Sequence, residues 1–269
     1  MEIFKLEFKN IWKSLLTWTG ILSCVIILLM AFFPSMQNEA MQELANAKLD
    51  SVSPAVLAVL GFEQMPDITI VINYFGYIMQ FINLTIAVFV MLRGTSALIK
   101  EETDGTIEYL YVKPISRTDI VVQKLLANVI GYIALLAVLF AFTAGSYMAF
   151  TDYTLPAAVK EIGLLLGGTL FVGMVFLLFG FFLSTILRSS RQTASVSLGV
   201  VFATFLIGIV SVLVERLDFL IYLSPLDWIK TSKLVENGLG TTQLIIGICI
   251  MAASVFAALI IYKRKDLNV

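Results

Sequence analysis

Four residues in one apolar stretch carry hydrogen-bonding side chains at helical spacing: Asn73, Tyr77, Gln80 and Asn83. Their intervals place them on roughly one face of a helix. Carboxamides perform no covalent chemistry, and a phenol with no base beside it is a weak nucleophile. They donate to and accept from whatever they face, and hydrocarbon is a costly neighbour for them. The stripe therefore meets either other helices, where an interhelical hydrogen bond is worth about 0.6 kcal/mol, or a substrate path or subunit interface. Ser197, Thr204 and Ser211 form a second, sparser row. Parts for covalent chemistry are missing. Without any histidine, imidazole-based triads, His-ligated zinc and imidazole proton relays are excluded. No Gly-Lys pair occurs, so no Walker A loop can cradle phosphates, and there is neither a Gly-x-Ser-x-Gly elbow nor a His-Glu-x-x-His. Cys24 and Cys249 lie in apolar runs, which indicates neither a disulfide scaffold nor a metal site. No residue is assigned a catalytic or metal-binding role.

The elements that must hold these side chains follow from the composition. The chain has 269 residues, of which 59% are hydrophobic and 14% charged. A soluble domain carries about 25% charged residues and cannot bury so much apolar surface. Uncharged runs cover 14–38, 68–92, 125–151, 162–187, 192–214 and 237–262, each 23 to 27 residues long. A helix needs about 20 residues to cross the hydrocarbon core. The sequence predicts an all-α integral membrane protein, one transmembrane domain over 1–269, with spans at about 15–33, 68–92, 125–149, 162–187, 193–214 and 241–262. The first run is too long for a signal-peptide core and reads as an uncleaved span. No acid or base lies inside these runs, which argues against an ion-coupled carrier with midplane charges.

Thirteen of the 18 Lys and Arg residues fall on one side of this topology, in the amino-terminal segment, the 93–124 connection, the 188–191 turn and the tail. By the positive-inside rule both termini are cytoplasmic. Low charge and the absence of organellar signals suit a bacterial plasma membrane. The net charge of −1 gives no attraction to nucleic acid. Residues 2–13 read as an amphipathic helix lying in the inner interface ahead of the first span, with Phe4, Phe8, Ile11, Trp12 and Leu15 on one side and Lys5, Lys9 and Lys13 on the other. Helices are expected near 36–49 and from Ser53-Pro54 to Gly61. Further short outer helices, at 217–223 and 225–236, precede the sixth span, with Ser224-Pro225 as the start and Gly238 as the stop. Gly163-x-x-x-Gly167 in the fourth span permits close helix contact. Ser116-x-x-Asp119 is a capping-box-like start, so a short surface helix is expected from Arg117, running on into the third span.

The segment 101–125 carries a likeness. Glu101-Glu102-x-x-Gly105-Thr106-x-Glu108-x-Leu110, then Pro114-Ile115-Ser116-Arg117 and Lys124-Leu125, resembles the cytoplasmic segment of ABC-2-type permeases, the membrane subunits of ATP-binding-cassette exporters. The turn Leu187-Arg188-Ser189-Ser190-Arg191-Gln192-Thr193-Ala194 resembles the family's second inner loop. The resemblance implies that Pro114, Ile115, Ser116, Arg117, Thr118, Asp119 and Ile120 form a coupling helix seated on a separate ATPase. It also implies that Glu101, Glu102, Gly105, Thr106 and Glu108 belong to a gate helix. This chain would bind no cofactor, ATP and Mg²⁺ residing on two partner ATPase subunits, and a second permease chain, identical or similar, would complete the transporter. An amphipathic or hydrophobic substrate, a peptide, drug or lipid-like molecule, would take the path past Asn73, Tyr77, Gln80 and Asn83. The competing reading is a channel, scaffold or embedded enzyme with no ATPase partner, for which the 100–119 charges are plain solvated surface.

Overall fold

The computed structural model describes residues 2–38, 68–103 and 116–265. Among them every regular element is a helix. Six are long and apolar enough to cross a membrane, so the chain is a multi-pass membrane protein. The first span is Glu2–Ala31, followed by a one-turn helix Phe33–Met36; the second is Val71–Ser96, followed by Ile99–Thr103. The third is Arg117–Phe150, the fourth Leu155–Ile186, the fifth Gln192–Leu213 and the sixth Thr241–Arg264. Between the fifth and sixth lie two 3-10 segments, Glu215–Leu223 and Pro225–Ile229, and a short α-helix, Thr231–Asn237. The expected helix at 53–61 and most of that at 36–49 fall outside the described residues. So do Gly105, Thr106, Glu108, Pro114 and Ile115.

One expected break does not exist. The leader 2–13 is continuous with the first span, as one helix of 30 residues, about 45 Å long against a hydrocarbon core of about 30 Å. No proline interrupts it, and one apolar stripe, Ile3, Ile11, Leu15, Leu22, Ile26 and Met30, stays buried along its whole length. That stripe packs on the third span. It differs from the expected face, for Trp12 is exposed and Phe4 and Phe8 are half-buried. The helix expected from Arg117 does run on through Lys124 into the third span, so the capped start is the foot of the span itself.

The fourth span is the most buried and touches the second, third and sixth. Its closest partner is the second. A Cβ on Gly94 would fall on the Leu177 carbonyl and within 2.8 Å of Phe181 N, while one on Gly180 would lie 2.8 Å from the Met91 carbonyl. Gly173 makes room for the Tyr132 hydroxyl, which donates to the Thr169 carbonyl at 2.6 Å. Gly163 and Gly167 have open space above them, so that pair forms no helix contact within the chain. A GxxxG spacing says nothing about direction, and these two glycines lie on the outward face of the fourth span.

Candidate substrate path and coupling end

All four residues of the polar stripe line a cavity of about 500 Å³. The second span forms one wall with Asn73, Tyr77, Gln80 and Asn83, and Phe205, Ser211 and Val212 of the fifth span form another. Asn83 is buried, and its Oδ1 accepts from the Thr169 hydroxyl at 2.7 Å, so this end of the stripe also packs the bundle. The row in the fifth span divides similarly. Ser197 meets Thr95 Oγ1 at 2.8 Å in the interior, whereas Ser211 lines the cavity.

The cavity is roofed by the segment between the fifth and sixth spans, which brings Asp218, Leu226, Asp227, Lys230, Thr231 and Lys233 to its lining. Sequence predicted the punctuation of this segment: Pro225 opens the 3-10 turn after Ser224, and Gly238, at φ 67°, closes the following helix. The helix expected over 225–236 is instead broken at Lys230. Sequence did not foresee how the roof is held. Ser224 donates its hydroxyl to Asp227 Oδ2, and Lys230 Nζ sits 2.7 Å from Asp227 Oδ1. Asp227 is buried, and a Cβ on Gly208 of the fifth span would collide with its carboxylate. Gly76 on the second span similarly admits Thr231, and Gly168 on the fourth admits Ile229 and Leu234. Three helices thus each present a glycine notch to the roof. The available signal was weak: a lone glycine inside an apolar helix costs about 1 kcal/mol relative to alanine, so each one called for a reason.

At the opposite end the connections meet. The Ser116 hydroxyl accepts from Asp119 N at 3.1 Å and donates to Asp119 Oδ2 at 2.6 Å, completing the predicted cap. Arg117 does not simply face outward, because its Nη1 donates to the Lys265 carbonyl at 2.7 Å, at the carboxyl end of the sixth span. Thr118 is half-buried, Asp119 is exposed and Ile120 is fully buried. Glu101 and Glu102 lie on the helix Ile99–Thr103, where Thr103 Oγ1 accepts from Ser190 N at 3.0 Å. The two loops that resembled a transporter's inner loops are therefore in contact. The family model for ABC-2 family transporter proteins matches residues 1–267. The chain belongs to this family. No curated protein sequence matches it. Its place is that of an ABC transporter's permease, a membrane subunit of a family that is in general non-catalytic.

In this ABC-2 chain the same end holds an ionic group that no local pattern announced. Glu7 of the first span lies between Arg93 of the second and Lys124 of the third, at 3.4 Å from Arg93 Nη2 and 3.7 Å from Lys124 Nζ. Lys124, only 2% exposed, also donates to the Ala97 carbonyl at 2.7 Å. Asn128 accepts from Arg93 Nε and Nη2 and donates to the Lys124 carbonyl. The charge-free runs stop short of these residues, but the helices do not.

Proposed function

We propose that this ABC-2 chain is the permease half of an exporter at the plasma membrane, with both termini cytoplasmic. It works with a second permease chain and two ATPase subunits, which hold the ATP and Mg²⁺. The observation that carries the reading is the polar stripe on the second span facing a cavity walled by the second and fifth spans. Amides are costly toward hydrocarbon, so a row of them is placed toward protein or a water-filled path. The lining sets carboxamides, a phenol and hydroxyls among Leu84, Phe205 and Leu226, with Asp218, Asp227, Lys230 and Lys233 at the roof, and this mixture favours an amphipathic molecule within the expected range of amphipathic or hydrophobic substrates. The roof over 215–237 closes the outer mouth. The end bearing Ser116, Arg117, Thr118 and Asp119 receives the ATPase. Ile120, being buried, supports that contact from within, and Glu101 and Glu102 transmit movement toward the 188–191 turn.

Cross-linking in native membranes followed by mass spectrometry tests the assembly. The expected result is a soluble subunit with a Walker A loop attached to residues 113–119. Recovery of the chain alone, with those residues freely reactive, returns the protein to the channel, scaffold and enzyme readings.

Two substitutions test the parts. Arg117→Glu places a carboxylate against the carbonyl end of the sixth span, an unfavourable helix-dipole contact of about 0.3–1 kcal/mol. Insertion is expected to persist while coupled transport is lost, and Pro114→Ala with Ser116→Ala is expected to do the same. Normal transport by either variant removes the coupling role. Asn73→Leu with Gln80→Leu is expected to change the range of molecules exported. An unchanged transport profile would reduce the stripe to packing.

A further inference from the structure

We propose that Glu7 is a positioning residue: its carboxylate holds the two ends of the 93–124 connection together and fastens both to the first span. The role in transport rests on the exporter reading, but the clamp itself does not. Arg93 stands near the end of the second span and Lys124 two turns into the third. The connection that would meet an ATPase runs between them. One carboxylate reaches both cations, Oε1 toward Arg93 and Oε2 toward Lys124.

Packing does not explain an acid here. Glu7 lies in a buried stripe whose neighbours in register are Ile3 and Ile11, where an aliphatic side chain would fill the space at no electrostatic cost. What a carboxylate adds is attraction to two like charges that repel each other, an effect strengthened by their removal from water. The rest of the contact set serves the same end. Lys124 reaches back to the Ala97 carbonyl, just beyond the second span, and Phe4 N donates to Gln123 Oε1 at 3.3 Å. Removing the anion leaves a buried lysine and a half-buried arginine with no carboxylate between them, and they relieve this by separating the feet of the second and third spans. The helix Ile99–Thr103 follows directly from Ala97. Its contact with the 187–191 turn then loses its fixed position. The amino-terminal helix is thereby part of the element that transmits movement, and more than an anchor in the headgroups.

The test uses the full chain in lipid nanodiscs and needs neither substrate nor ATPase. With Cys24→Ala and Cys249→Ala as background, Thr103→Cys and Ser190→Cys report the contact between the two connections by their rate of disulfide formation. Glu7→Gln is expected to slow that rate about five-fold, the scale of coupling between neighbouring charges. Glu7→Gln with Lys124→Met leaves the local charge sum as it was, and is expected to bring the rate back to within about two-fold of the parent. An unchanged rate in Glu7→Gln overturns the proposal. So does an equal loss in the single and double variants, because that identifies packing rather than charge. If Glu7→Gln alone fails to fold, folding and rate in the double variant decide: recovery supports the clamp and failure overturns it. If no ATPase ever accompanies the chain yet the rates behave as expected, the exporter reading falls and the clamp stands.

Discussion

A leucine at Gly94 is expected to abolish the folded bundle. At this position the second and fourth spans touch backbone to backbone, with the Leu177 carbonyl and Phe181 N where a side chain would begin. Overpacking a core ordinarily costs about 1–3 kcal/mol because side chains can give way. Here the obstruction is main chain on a helix that also packs against the third and sixth spans, so the cost exceeds that range. Gly180, whose Cβ would meet the Met91 carbonyl, faces Gly94 across the same contact and offers no slack. Thermal unfolding in detergent is the measurement, with Gly145→Ala as the control. Nothing lies within 4 Å of a Cβ there, and alanine is expected to raise stability slightly through helix propensity, by up to about 1 kcal/mol. Parental melting of Gly94→Leu would show that the second and fourth spans are not held by this contact.

The second large effect concerns the roof. Gly208→Val is expected to lift the 224–230 segment off the fifth span, since its Cβ occupies the position of the Asp227 carboxylate. Ser224 and Lys230 lie on the same segment as Asp227 and move with it, so what is lost is the seating of that carboxylate in the Gly208 notch. The bundle beneath is held by other contacts, so the expected outcome is local: a cavity open from above, with Gln80→Cys modified by a polar thiol reagent at least about ten-fold faster, the rate change equivalent to ~1.4 kcal/mol of opening. Asp227→Asn keeps the hydrogen bond from Ser224 but loses the ion pair with Lys230, and is expected to open the roof to a smaller degree. Protection of Gln80→Cys unaltered by Gly208→Val would mean that the roof is seated elsewhere.

These two cases also mark where sequence stops informing. The six spans were legible because charges interrupt the chain, and the polar stripe because Asn73, Tyr77, Gln80 and Asn83 recur on one helical face. The caps at Ser116 and Gly238 were legible because capping is local. Span ends were misplaced wherever charged residues continue a helix, as at Glu7, Arg93 and Lys124, since a charge-free run measures hydrocarbon rather than helix. Notches such as Gly76, Gly94 and Gly208 were illegible because their meaning depends on which neighbour approaches. Gly163 and Gly167 show the converse, a motif with no partner in this chain. The Glu7 contacts join residues more than eighty positions apart, a separation that no periodicity encodes. Of the candidate site, the stripe could be read from sequence, whereas the roof and the clamp required three dimensions.

The separation of Glu7 from its cations has a meaning in time as well as space. A ribosome adds about 5–20 residues per second, so the first span enters the bilayer on the order of ten seconds before Lys124 has been made. Until Arg93 is made the carboxylate has no cation from the later spans to meet, and until Lys124 follows it has only that one; the foot of the first helix depends meanwhile on lipid headgroups and water. The order of synthesis thus makes the amino-terminal helix the first to be inserted and among the last to be fastened. Glu7→Cys in stalled nascent chains is expected to change from reactive to protected as the stall point moves past the third span, and protection already complete at shorter lengths would contradict this. The permease begins life with its first helix as an independent membrane guest, and only the arrival of the third makes it part of the machine.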